Sequence, residues 1–127
     1  MKLHAERATH LNTVTAYGPG YIEVNGARFL GNLILLPDVP VQPWDVAGFD
    51  TLRPEDFDPL RQWRPEVILL GTGRRQRMAP APLVAALLNA RIAVEAMDTR
   101  AACRTFNILV SDGRRVAGAI LQEDLET

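Results

Sequence analysis

The sequence predicts one α/β domain: an N-terminal antiparallel β-meander, then a βαβαβ half whose strands build a parallel sheet covered by crossover helices. Two observations carry this. Short β-prone runs near the N-terminus are divided by Gly18-Pro19-Gly20 and by Asn25-Gly26, the strongest short hairpin signal. Beyond residue 65, apolar runs bounded by glycine or aspartate alternate with stretches of helical period. With no repeat, low-complexity tract or Gly/Ser linker, residues 1–127 read as a single domain, long enough to bury a core without staples.

The first dozen residues, ending near His10-Leu11-Asn12, are polar and expected to be mobile. Thr13 to Tyr17, Tyr21 to Val24 and Ala27 to Leu30 are the three strands of the meander. Leu33 to Leu36, apolar without alternation, reads as a strand covered on both faces, and Pro37 ends it. From Pro37 to Arg53 no helical period appears, and an edge strand or a loop pinned by its aromatics is expected around Val46 to Phe49. Pro54 opens a short helix whose Glu55 and Asp56 suit the positive end of its dipole and whose Phe57 and Leu60 face inward.

Glu66 to Leu70 is a central strand ending at Gly71-Thr72-Gly73. Pro80 or Pro82 starts a helix whose Leu83, Val84, Leu87, Leu88 and Ala90 make a broad apolar face. Arg91 to Met97 is the next strand. Asp98 or Thr99 caps a helix with Ala102, Phe106, Leu109 and Val110 on one face, and Gly113 stops it. Arg115 to Leu121 closes the sheet.

Charge and composition exclude several classes of function. Fourteen basic and fifteen acidic residues give a net charge of -1, which offers no overall electrostatic footprint for a nucleic-acid duplex or an anionic membrane and leaves room only for a local basic patch. Cys103 is the only cysteine, so no intramolecular disulfide forms. The longest apolar run, Leu83 to Leu88, is far short of a membrane span, and no signal peptide follows Lys2. Direct membrane insertion is not expected.

Nothing in the sequence supplies an enzyme active site, a metal centre or a cofactor motif. Cys103 lacks a nearby base, because the histidines are His4 and His10 in the polar N-terminus. The sharpest local feature is Gly71-Thr72-Gly73 followed by Arg74, Arg75 and Arg77, glycines and guanidiniums of the kind that approach phosphate or carboxylate oxygens. It lacks the third glycine of a dinucleotide fingerprint and the Walker lysine, and a tight turn with solvated arginines is the plainer alternative. If the strands ending at Gly71 and Asp98 are neighbours, Gly71, Thr72, Gly73, Arg74, Thr99 and Arg104 form a candidate ligand cleft at the carboxyl edge of the sheet. Arg104 then either holds an oxyanion or pairs with an acid of its own fold. Trp44 and Phe49 are candidates for a partner-facing aromatic surface, the alternative being that each seals the edge of the core.

Leu69-Leu70-Gly71-Thr72-Gly73, Met97-Asp98-Thr99 leading into Ala102-Cys103-Arg104-Thr105-Phe106-Asn107, and Gly113-Arg114-Arg115-Val116 together resemble the small α/β domain family that includes mitochondrial respiratory complex I assembly factor 3 and many uncharacterised bacterial proteins. The likeness runs from Tyr21 to Leu121. It implies a three-layer α/β domain with a central mixed sheet, no established catalytic residue, no cofactor, and a non-catalytic accessory role exercised by binding protein partners, components of a membrane-bound complex among them. Met78 and Phe106 stand where the family commonly has an aromatic and a tyrosine, and the Arg- and Ser-rich presequence of the mitochondrial member is missing. A bacterial, cytoplasmic member is therefore expected. The competing expectation is a small-anion or small-molecule binder, or weak enzyme, at the carboxyl-edge cleft.

Overall fold

A computed structural model describes residues 11–122 of the chain. Strands β1 (Val14–Gly18), β2 (Tyr21–Val24) and β3 (Ala27–Leu30) form an antiparallel sheet in sequence order. Asn25 and Gly26 join β2 to β3 with φ of 50° and 86°, the left-handed pair that a two-residue type I′ hairpin turn requires. The meander is thus present as its turn residues predict. Asn12, at the end of the expected mobile segment, is tied down: its Nδ2 donates to the carbonyls of Leu36 at 2.7 Å and Val39 at 2.6 Å. Residues 1–10 lie outside the described residues.

A second sheet contains β4 (Leu33–Leu35), β5 (Gln42–Pro43), β6 (Val67–Thr72), β7 (Ala93–Met97) and β8 (Val116–Leu121), in the order β5-β4-β8-β6-β7. β6 runs parallel to β7 and β8, whereas β4 runs antiparallel to β5 and β8, so the sheet is mixed. Helix α1 (Asp58–Gln62) follows a 3-10 turn at Pro54–Phe57, α2 (Ala81–Asn89) links β6 to β7, and α3 (Thr99–Ser111) links β7 to β8. The chain steps outward from β6 to the edge strand β7, then back past β6 to β8. Right-handed crossovers taken in opposite directions put their helices on opposite faces, and that is where α2 and α3 lie.

Three layers result. Leu33, Leu35, Val67, Leu69 and Ile120 point to one face, against Cys103, Phe106 and Val110 of α3 and Val14, Ile22 and Val24 of the meander. The alternate residues Ile34, Ile68, Leu70, Ala117 and Ala119 point to the other, against Phe57, Leu60, Leu83 and Leu87. Every residue of β6 and β8 is buried, as continuous apolar runs require.

Of the two alternatives for Val46 to Phe49, the loop is the one that forms, with Val46 and Phe49 partly buried against the core. The edge strand lies earlier, at Gln42–Pro43, paired with Ile34 and Leu33, and the chain then turns inward at Trp44. One expectation shifts. Leu88 and Ala90, expected on the apolar face of α2, are exposed, so the buried stripe narrows to Leu83 and Leu87 with Val84 at its margin.

Phe106 is fully buried at the centre of the α3 face. Its replacement by Ala should lower stability by about 3–5 kcal/mol, read from urea unfolding. A loss below about 1 kcal/mol would mean that the surroundings collapse onto the gap far more completely than close-packed cores do.

Candidate functional site

The glycine turn and the start of α3 do meet at the carboxyl edge, since Gly71 of β6 lies in register with Met97 of its parallel neighbour β7. The connections leaving these two strands go to opposite faces, which is the position where open α/β sheets collect ligands. Internal hydrogen bonds run across it. Asp98 caps α3, its Oδ1 accepting from Ala101 N at 2.9 Å. The fully buried Thr99 accepts from Gly73 N on Oγ1 at 2.8 Å, donates that hydroxyl to Leu121 O at 2.6 Å, and donates its own N–H to Gly73 O at 2.8 Å. The Thr72 hydroxyl lies within donor distance of Arg75 O at 2.7 Å and Met97 O at 3.1 Å, and accepts from Arg77 N at 3.2 Å.

Gly71 sits at a close approach to α3. A Cβ there would stand 3.0 Å from Thr99 Oγ1 and 3.3 Å from Thr99 Cα. The glycine thus admits the start of α3. Arg74 is exposed. Among the described residues Arg104 pairs with no acid: its Nη1 donates to the Tyr17 hydroxyl at 3.0 Å, tying α3 to β1, while Arg100 lies 5.6 Å over the same ring. Asn107, one turn further along, clasps the Val14 backbone with both amide atoms at 2.8 Å.

Of the two aromatics that stood as either a partner-facing surface or seals of the core edge, Trp44 is only 5% exposed. Its N–H bonds to Asn32 O, which follows the β4–β5 pairing and turns the ring into the core; there it meets Phe57 edge-on at 5.3 Å and its Nε1 donates to Asp56 O at 2.9 Å. Trp44 therefore seals the core. Phe49 is half-buried, with the Arg77 guanidinium 5.1 Å over its ring. Cys103 is buried, and desolvation pushes its thiol up to about 12 despite the nearby Arg104 charge, so it is neutral and unreactive at neutral pH. His4 and His10 lie outside the described residues.

At the opposite, amino edge of the parallel strands lies a surface cleft of about 790 Å³ between the ends of α1 and α2, lined by Arg61, Arg64, Pro65, Ala90, Arg91 and Ile92. Sequence reasoning passed over it. The readable signal is local: each helix is followed by an arginine in the left-handed region, Arg64 at φ 59° and Arg91 at φ 64°. Arg91 N bonds Leu88 O at 2.8 Å and Ile92 N bonds Leu87 O at 2.9 Å, the double closure of a helix C-terminus in which glycine is the usual occupant. That the two turns face one cleft is visible only in the fold.

Residues 14–121 match a family described as protein of unknown function, DUF498/DUF598. The chain is similar to the NADH dehydrogenase (ubiquinone) 1 alpha subcomplex assembly factor 3 of Bos taurus, 36% identical over 110 residues, 85% of this chain and 59% of that protein. It spans about three fifths of the length of the mammalian assembly factors that it matches. An uncharacterised protein of Rhodobacter capsulatus is 34% identical over 110 residues, 85% of this chain and 82% of that one. A crystal structure from Bordetella parapertussis superposes with a TM-score of 0.84 at 47% identity, covering 91% of this chain and 98% of the other.

Two outcomes follow for Thr99 and Cys103. Thr99→Val keeps the shape but leaves Gly73 N–H and Leu121 C=O without a partner, and should cost about 2–5 kcal/mol in urea unfolding, with Thr99→Ser largely restoring it. For Cys103 the raised pKa means that the unfolded chain loses the thiol proton first. Its contribution is full below the ordinary value of 9.0 and is lost as pH rises towards about 12. Cys103→Ala should flatten the fall in stability above pH 9.0, and in the native protein a disulfide reagent such as DTNB should react with Cys103 only on unfolding. Rapid native reaction would show the thiol to be accessible.

Proposed function

The chain belongs to the DUF498/DUF598 family of proteins of unknown function, and on that premise we propose that it is a non-catalytic accessory protein that binds protein partners during the assembly of a membrane-bound complex. The observation that carries this reading is its likeness to a protein named for the assembly of NADH dehydrogenase, 36% identical over 85% of this chain. The chemistry of the fold supports it. The cysteine is buried and neutral, and the polar groups gathered at the carboxyl edge, where an α/β enzyme would hold its substrate, are hydrogen-bonded to one another. Among the described residues no helix is long and apolar enough to cross a membrane. In this reading the protein meets membrane-embedded components through a partner.

The test is purification of the full chain under native conditions from its own cells, with identification of co-eluting proteins, alongside analysis of membrane complexes in cells lacking it. Co-elution with subunits of a membrane-bound complex, and accumulation of its partly assembled forms in the deletion strain, are expected. A protein that elutes alone, in cells whose complexes assemble normally without it, would refute the proposal.

A further inference from the structure

We infer that the arginine-lined cleft at the amino edge of the sheet receives an acidic segment of a partner protein. The choice of a protein as occupant rests on the partner-binding reading; the positive charge of the cleft stands by itself. The cleft contains three guanidiniums, Arg61, Arg64 and Arg91, and one carboxylate, Asp58. Asp58 is engaged by Arg61 at 3.3 Å. Among the described residues, the Arg64 and Arg91 side chains have no hydrogen bond, ion pair or ring contact. A chain of net charge -1 thus gathers uncompensated positive charge in one concavity.

Both free arginines are also held at backbone positions that suit glycine better. A cation near a helix C-terminus gains from the dipole anywhere in the last turn. The dipole alone therefore gives no reason to place the charge at the strained position, whereas presenting it to the cleft does. The turn carrying Arg64 is braced from behind: Arg115 stacks on Trp63 at 3.9 Å, donates Nε to Arg64 O at 3.1 Å and donates Nη2 to Trp63 O. The turn carrying Arg91 is anchored by the buried Ile92.

The form of the cleft selects the occupant. Small-molecule sites enclose most of the ligand and orient it with a few buried polar groups. Here the polar lining residues Asp58, Gln62, Arg64 and Arg91 are exposed and Arg61 is half-exposed, while the buried lining residues are Pro65 and Ile92. A lone oxyanion in so open a place is screened and weakly held. Several carboxylates on one segment engage the arginines together, with an apolar residue over Pro65 and Ile92. Nucleic acid fits less well, because no aromatic ring lines the cleft as a stacking platform.

The test is fluorescence anisotropy of the full chain with a labelled peptide of Glu-Glu-Leu repeats, at low and physiological salt. Binding that weakens with salt is expected, and the Arg64→Gly/Arg91→Gly double variant should bind about tenfold or more weakly while melting no lower than the parent. Arg64→Gln/Arg91→Gln, which keeps the backbone strain and removes the charge, should show the same loss. Unchanged affinity in both double variants, equal binding of a Lys-Lys-Leu peptide, competition by orthophosphate or citrate as tight as by the unlabelled peptide, or tighter binding of a single-stranded oligonucleotide would each overturn the inference. A natural partner that co-purifies equally with parent and double variants would remove the cleft's role and leave the accessory function standing. Peptide binding without any co-purifying partner would do the reverse.

Discussion

Strand β8 lies between β4 and β6, paired with β6 along its whole length and with β4 over residues 118–120, so the last strand of the sheet is also the seam between the two halves of the chain. Covered on both faces, it can carry little bulk. Ala117, Gly118 and Ala119 occupy its middle, and a Cβ on Gly118 would stand 3.3 Å from Leu35 Cβ. The small residues let β4 and the layers above and below approach. The two hydrophobic clusters, the docking of α3 and the position of the meander all require β8 in this slot.

Around that seam a few polar side chains do the joining. Asn107 grips the Val14 backbone from α3, and Arg104 reaches Tyr17, so the meander is held to the helix by side chains and apolar contact rather than by strand pairing with the main sheet. Thr99 binds the glycine turn of β6 and the end of β8 at once. Inside a low-dielectric layer such bonds are strong when complete and costly when broken. The part of the resemblance motif that runs from Thr99 to Asn107 is in this fold a set of joints.

The two edges of the parallel strands consequently differ. The carboxyl edge, which topology alone would nominate for a ligand, is crossed by the Thr99 and Thr72 bonds. The amino edge is open and positively charged, because two helices end there in arginines whose guanidiniums point to no partner among the described residues. Loops held by a rigid scaffold are where binding residues commonly lie.

Local chemistry was sufficient for much of this. The Asn25-Gly26 turn, the Asp98 cap, the continuous apolar runs of β4, β6 and β8 and the inward face of α3 follow from propensity and period, which act over a few residues. The meeting of Gly71 with Thr99 was legible once β6 and β7 were taken as parallel neighbours. What the turn does there was not, because a glycine that admits a helix and one that admits a phosphate have the same sequence. The inward turn of Trp44 depends on pairing with Asn32 and Leu33, and the convergence of Arg64 and Arg91 joins turns from two separate helices. Such placements are decided by contacts between residues distant in sequence, so only the tertiary structure could show that Trp44 seals the core and that the arginines share one cleft.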